Sequence, residues 1–394
     1  MPDVSLPFTR EEYATRLAKV RAAMDDAGVE VIVVTDPSNM AWLTGYDGWS
    51  FYTHQAVVVT HDVDPLWWGR VQDANGARRT VYMEEARIVG YPDDYVQSNE
   101  RHPHQHLGEL LADGGVGSNR IGVELDNYYY SAAAHAHLTA ALPEASFVDV
   151  TGLVNWQRAV KSEQELTYMR AAARIVEKIH ARILERVEPG LRKNELVAEI
   201  YDAGLRGADG YGGDYPAIVP LLPTGADASA PHLTWDDRPF EVGAGTFFEV
   251  AGCVRRYHAP LSRSVYLGTP PKEMIQAEKA IVEGLESGLN AARAGNRAAE
   301  VARALYSALE KAGIKREGRC GYPIGLSYPP DWGERTISFR TTDQSILEPG
   351  MTFHFMPGLW MDDWGLEITE SILIKESGPA EPLTNYPRKL FVKP

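Results

Sequence analysis

His232-Leu-Thr-Trp-Asp236 and, after a short gap, Gly245-Thr-Phe-Phe-Glu249-Val-Ala-Gly-Cys-Val-Arg-Arg-Tyr257-His258-Ala-Pro260-Leu-Ser262-Arg263-Ser264, closing on Gly268, decide how the rest of this chain is read. The run 245–252 reads as an apolar strand interrupted by a single acid. A carboxylate buried in such a strand costs free energy unless it is paired, so Glu249 is expected to have a task. The plainer alternative is a salt bridge at a strand edge. His232 stands just ahead of this strand. A lone histidine is more often structural, but one facing a cleft relays protons near neutral pH.

Outward from this stretch, the chain reads as two domains. With 394 residues it exceeds the size at which one hydrophobic core stops growing. Alternating strand and helix signals fill the first part. Val29–Thr35, Val57–Thr60, Thr80–Met83 and Ile121–Leu125 read as strands, with helical stretches around 104–113 and 131–142. A small α/β domain with a mostly parallel sheet is expected over residues 1–155. The segment 148–162 reads as the hinge, and 156–394 as a second domain.

That second domain carries an internal repeat. One long amphipathic helix, 162–187, ends at Pro189-Gly190 and is followed by Glu195-Leu196-Val197. Another, 272–293, ends at Ala294-Gly295 and is followed by Glu300-Val301-Ala302, an offset of 105 residues. Two copies, each followed by a strand-rich segment, describe a pseudo-twofold α+β domain. A solenoid needs three or more.

The formal net charge of −15 excludes nucleic acid and an anionic membrane surface as main partners. No run of about 20 apolar residues is present to span a bilayer. Two distant cysteines, Cys253 and Cys320, give no disulfide framework and suit a reducing compartment. The N-terminus lacks a signal-peptide pattern. A cytoplasmic protein is expected.

The chain resembles the creatinase/prolidase/methionine aminopeptidase family, most specifically from about residue 150 onward. The resemblance implies a "pita-bread" catalytic domain in which Asp, Asp, His, Glu and Glu hold two metal ions. Here the first Asp falls on Glu249 and the second on Pro260. The His falls on Tyr322, in Gly321-Tyr322-Pro323-Ile324-Gly325, and one Glu falls on Met356. The last Glu falls on Thr369, flanked by Glu367 and Glu370. One carboxylate does not hold a dimetal centre, so no metal or other cofactor is expected.

The resemblance also assigns expected roles. His232 matches a catalytic histidine of metal-free relatives, and Glu249 is read as base or nucleophile. Glu367 and Glu370 lie three apart in a strand and face opposite ways, so only one enters the site; Glu370 is slightly favoured. Arg263 is either an anchor for a substrate carboxylate or a structural ion pair. Tyr322 and Tyr257 are expected near substrate. Trp49 and Tyr52, in Asp47-Gly-Trp49-Ser-Phe51-Tyr52, match a loop that closes the partner subunit's cleft in homodimeric relatives, or else are ordinary core. His102, His104 and His106 alternate in a Pro-containing loop and, without Cys or acidic company, are set aside as metal ligands.

The metal-free branch hydrolyses small amidines and guanidines, and the pattern here is most similar to the members that open the cyclic amidine of ectoine, with acceptance of hydroxyectoine left open. Three other readings stay open. They are a creatinase-like hydrolase, an Xaa-Pro metallopeptidase, and an inactive binding module on the same fold.

Overall fold

The computed structural model describes residues 4–394, and the chain divides into two units, Met1–Arg158 and Ala159–Pro394. In the first, α1 (Arg10–Ala27) begins at Thr9, whose hydroxyl accepts from the Glu12 N–H, and stops at Gly28 with φ 62°. Only a residue free of Cβ strain adopts that left-handed stop cheaply.

Six strands follow: β1 (Val31–Val34), β2 (Ala56–Thr60), β3 (Leu66–Arg70), β4 (Ile88–Tyr91), β5 (Arg120–Val123) and β6 (Ser146–Asp149). They form one sheet in the order β4-β3-β2-β1-β5-β6. The pairs β1/β5, β5/β6 and β3/β4 are parallel, and β1/β2 and β2/β3 are antiparallel. The helices are α2 (Pro37–Thr44), α3 (Ala74–Thr80), α4 (Pro103–Asp113), α5 (Ala132–Ala141) and α6 (Leu153–Gln157).

The strand expected at Thr80–Met83 is absent. Thr80 closes α3, and Val81, Tyr82 and Met83 are buried as irregular chain. Apolar β-branched residues report burial, which a strand and a core-facing loop share.

The second unit is α+β. Ser162 and Glu165 form a capping box at the start of α7 (Glu163–Arg186), which α8 (Lys193–Arg206) follows. A long hairpin, β7 (Gly245–Val254) and β8 (Tyr257–Leu267), leads to the second helix pair, α9 (Lys272–Ala291) and α10 (Ala298–Lys311). The helices thus occupy the repeat positions 105 residues apart. Then come β9 (Gly321–Pro323), β10 (Thr352–Phe355), β11 (Gly358–Trp360), β12 (Gly365–Glu367), β13 (Glu370–Leu373), β14 (Glu381–Pro382) and β15 (Phe391–Lys393).

Helix α7 packs directly on β7 at Gly252, where a Cβ would lie 2.0 Å from the Ala172 carbonyl oxygen. In the second copy, residues of α9 and α10 share a core with Phe353 and Phe355 of β10 and Ile372 of β13. Cys253 and Cys320 are buried and unbridged. Among the described residues no helix is long and apolar enough to cross a membrane.

Candidate active site

Strands β7 and β8 are buried along their whole length. Arg255 and Arg256 join them with φ of 50° and 66°. Consecutive positive φ values match the two-residue hairpin turn whose twist fixes strand register. That register sets Glu249 opposite Ser262 and Phe248 opposite Arg263. Side chains alternate along a strand, so Glu249 and Ser262 share one face while Arg263 lies on the other.

On the Glu249 face two carboxyls meet. Glu249 is buried, and among the described residues its carboxyl accepts no hydrogen bond; its Oε1 lies 3.8 Å from His354 Nδ1. Burial, then repulsion from Glu367 and Asp331, raises its pKa well above the usual carboxylate range. Glu367, at the end of β12, faces Gly358 of β11, where a Cβ would come within 3.0 Å of Glu367 Cγ. The Trp360 indole donates to Glu367 Oε1 at 3.0 Å, and Oε2 is buried without a hydrogen bond. Burial pushes the Glu367 carboxyl up to about 7, against the opposing pull of the Ser262 hydroxyl, the Trp360 indole and the Arg316 charge. The Ser262 hydroxyl acts as a nearby dipole, since its oxygen makes no well-aligned hydrogen bond. Burial thus favours the protonated form of both carboxyls toward neutral pH.

Behind them runs a hydrogen-bonded wall. The Trp332 indole donates to the Tyr322 hydroxyl at 2.9 Å, which lies 2.9 Å from His354 Nδ1. His354 Nε2 is 2.8 Å from Thr369 Oγ1, which accepts from the Ser262 N–H at 2.7 Å. Burial lowers the His354 pKa to about 3, so the imidazole is neutral, and both its nitrogens are engaged. It orients the wall and has no free nitrogen to trade protons with substrate.

Several expected site residues lie elsewhere. Arg263 is saturated: its guanidinium donates to Pro387 O, Ser262 O, Thr369 O, Tyr386 O and Glu370 Oε1, the last at 2.6 Å. Five donors with five acceptors leave none for a substrate carboxylate, so the ion-pair alternative holds. Glu370 is its partner and also accepts from Thr384 and Arg388. Glu370 thus lies on the Arg263 side of the hairpin, and Glu367 lies on the side of Glu249. The Tyr257 hydroxyl donates to Glu165 Oε1 at 2.7 Å, tying β8 to the start of α7. His232 is exposed on the loop after a 3-10 turn (Gly225–Ser229), and among the described residues it makes no hydrogen bond or ion pair. In the first unit, Trp49 and Tyr52 are 57% and 71% exposed, so neither is core. Tyr322 does face Glu249, whose charge helps raise its phenol pKa after burial.

The donor set does not fit a dinuclear metal centre. Two carboxyls converge, the nearest imidazole has both nitrogens committed, and Pro260, Tyr322 and Met356 supply no carboxylate or imidazole.

Sequence reading missed His354, Trp332, Trp360 and two arginines. Arg319 is exposed, its guanidinium 4.6 Å over the Tyr322 ring, and it forms no ion pair among the described residues. The Arg316 guanidinium lies 5.3 Å over the Trp360 ring. The basic run Lys315-Arg316-Glu317-Gly318-Arg319 was a readable signal, whereas His354 was screened by its apolar neighbours Phe353 and Phe355.

The family model for metallopeptidase family M24 matches residues 167–376, and that for the creatinase/prolidase N-terminal domain matches residues 16–160. An ectoine hydrolase of Halomonas elongata is 60% identical over 400 residues, covering 100% of both chains. An uncharacterized hydrolase/peptidase of Sinorhizobium fredii, y4tM, is 42% identical, covering 98% of this chain and 99% of that one. Among solved structures, a prolidase from Thermococcus sibiricus superposes with a TM-score of 0.83 at 18% identity, over 97% of this chain and 99% of the other.

Proposed function

The chain belongs to the M24 metallopeptidase family with a creatinase/prolidase N-terminal domain, and from that premise we propose that it hydrolyses the cyclic amidine ring of ectoine without a catalytic metal. The observation that carries the reading is the pair Glu249 and Glu367, two buried carboxyls with raised pKa values where the family holds metal ions. The extent of identity to the Halomonas elongata protein supports the choice of substrate.

A cationic amidinium compensates such a pair. Its positive charge lowers both pKa values on entry, so binding itself frees a carboxylate to act. The ring carbon between the two nitrogens is already electrophilic, which removes the need for a Lewis acid. Glu249 attacks that carbon or deprotonates the water that does. Glu367 holds the proton that passes to the departing ring nitrogen. His232, on its exposed loop, is the second donor in this reading. One C–N bond breaks, one water is consumed, and the product is an N-acetylated 2,4-diaminobutyrate. Arg319, exposed above the Tyr322 ring, holds the substrate carboxylate, one of the two roles the sequence had left open for Arg263. The reading includes a cytoplasmic homodimer, in which the Trp49–Tyr52 loop serves the partner's cleft.

The test is turnover of ectoine by exhaustively chelated protein, followed by NMR. Full activity supports the reading. Activity that disappears and returns only with added divalent metal overturns it in favour of a metal-dependent enzyme.

A further inference from the structure

The first unit holds a cluster of histidines that hydrolysis in the second unit does not use. His54 follows the exposed 49–52 loop, and His102 and His104 lie at the start of α4. The ring centroids of His54 lie 4.6 Å from those of His102 and 4.9 Å from those of His104. Each of the three offers a ring nitrogen, and these nitrogens lie within 4.8 Å of one another. Two nitrogens on one tetrahedral zinc at about 2.0–2.1 Å stand roughly 3.4 Å apart, so side-chain rotations that move each nitrogen by about 1 Å close the set.

His104 makes the stronger case. It is 0% exposed, and neither ring nitrogen has a hydrogen-bond partner. A buried imidazole that satisfies neither nitrogen carries a desolvation cost that simple packing against Trp68 and Tyr130 does not return. His54 likewise has no side-chain hydrogen bond among the described residues, and the Tyr91 hydroxyl fixes its backbone by donating to its carbonyl at 2.9 Å. Burial lowers the pKa of all three, with mutual repulsion adding to it at His102 and His104, so no proton has to leave before a metal binds. His106, the third histidine of the triplet, lies outside this set, and its Nδ1 accepts from the Trp68 indole at 3.2 Å.

We propose that His54, His102 and His104 form a binding site for one divalent transition metal of the zinc class, separate from the carboxyl pair. An all-imidazole set suits zinc, copper or nickel rather than magnesium or calcium. Three protein ligands leave one position open. A cavity of about 170 Å³ lined by Tyr52, Tyr91, Tyr95, Arg101 and both His54 and His102 lies beside the cluster, with room for a water or a small anion. His102 Nδ1 currently accepts from the His104 N–H and caps α4. Metal binding through that nitrogen therefore exchanges the cap for a coordinate bond and couples the site to the start of the helix.

The test uses the full chain, freed of metal by chelation and titrated with Zn²⁺ and with Co²⁺. One equivalent of Zn²⁺ per chain, together with the intense visible absorption of low-coordinate Co²⁺, is expected. The Glu249→Gln/Glu367→Gln protein should keep that equivalent, and His54→Ala should weaken it at least tenfold. In the unaltered protein, Zn²⁺ should also protect His54 and His102 from acylation by diethyl pyrocarbonate, read by peptide mass mapping. This readout does not depend on any variant folding. Absence of binding, equal affinity in His54→Ala, loss of binding in the double Gln variant, or unprotected histidines would each overturn the proposal.

Discussion

His354 Nδ1 lies 3.8 Å from Glu249 Oε1 while hydrogen-bonded to the Tyr322 hydroxyl at 2.9 Å. The family's metal-binding histidine position is thus filled by a phenol that holds a different histidine, from the neighbouring strand, against the carboxylate. With Thr369 on the far nitrogen, that imidazole is a fixed neutral dipole. The hydrogen bonds on both nitrogens of His354 fix the wall beside the two acids on which the proposed hydrolysis rests.

Glu249→Gln should abolish turnover, by at least about a thousandfold, with the fold intact. Removing an unbonded buried carboxyl should leave the melting temperature unchanged or higher. Steady-state kinetics beside a thermal melt check this, and a variant retaining substantial activity sinks the base or nucleophile role.

The two C-terminal acids should separate cleanly. Glu367→Gln is expected to lose activity and keep stability. Glu370→Gln should instead destabilise by roughly 3–5 kcal/mol, because it strands the buried Arg263 guanidinium. Denaturant melts of both variants decide the assignment, and the opposite pattern would return Glu370 to the site.

Stability should fall as pH rises through neutrality. Glu367 ionises at about 7 in the fold, and Glu249 also ionises above the usual range. In the unfolded chain each ionises near about 4.3. Raised folded pKa values mean the contribution is fully present below about 4.3 and lost as pH climbs through 7, a change of a few kcal/mol. The melting temperature should drop between about pH 5 and pH 8, and the slope should flatten in the Glu249→Gln/Glu367→Gln protein. The pH profile of kcat/KM should be bell-shaped, rising as Glu249 ionises and falling as Glu367 loses the proton it donates.

Arg319→Ala should raise KM for ectoine about tenfold or more with little effect on the melt, since the side chain is exposed. An analogue lacking the carboxylate should be insensitive to the change. Equal effects on both substrates would place the carboxylate contact elsewhere.

Tyr322→Phe strands the Trp332 indole N–H and one nitrogen of His354 in a buried site. A loss of about 1–3 kcal/mol is expected in denaturant melts. A neutral result would mean that water replaces the hydroxyl.

The sequence by itself determined the two-part layout, the repeated helix pairs around Gly190 and Gly295, the strand bearing Glu249, and the presence of Pro260, Tyr322 and Met356, side chains without a carboxylate or imidazole. Those features are local, carried by periodicity, by stop signals, and by side chains that cannot coordinate. Tertiary structure alone put Glu367 beside Glu249 and Glu370 beside Arg263, because that depends on which face of the β7–β8 hairpin each strand meets. It also turned Arg263 and Tyr257 inward to Glu370 and Glu165, since a donor's partners are set by neighbours far along the chain. His54 and His104 lie 50 residues apart, and only the closure of the sheet onto α4 brings their rings together.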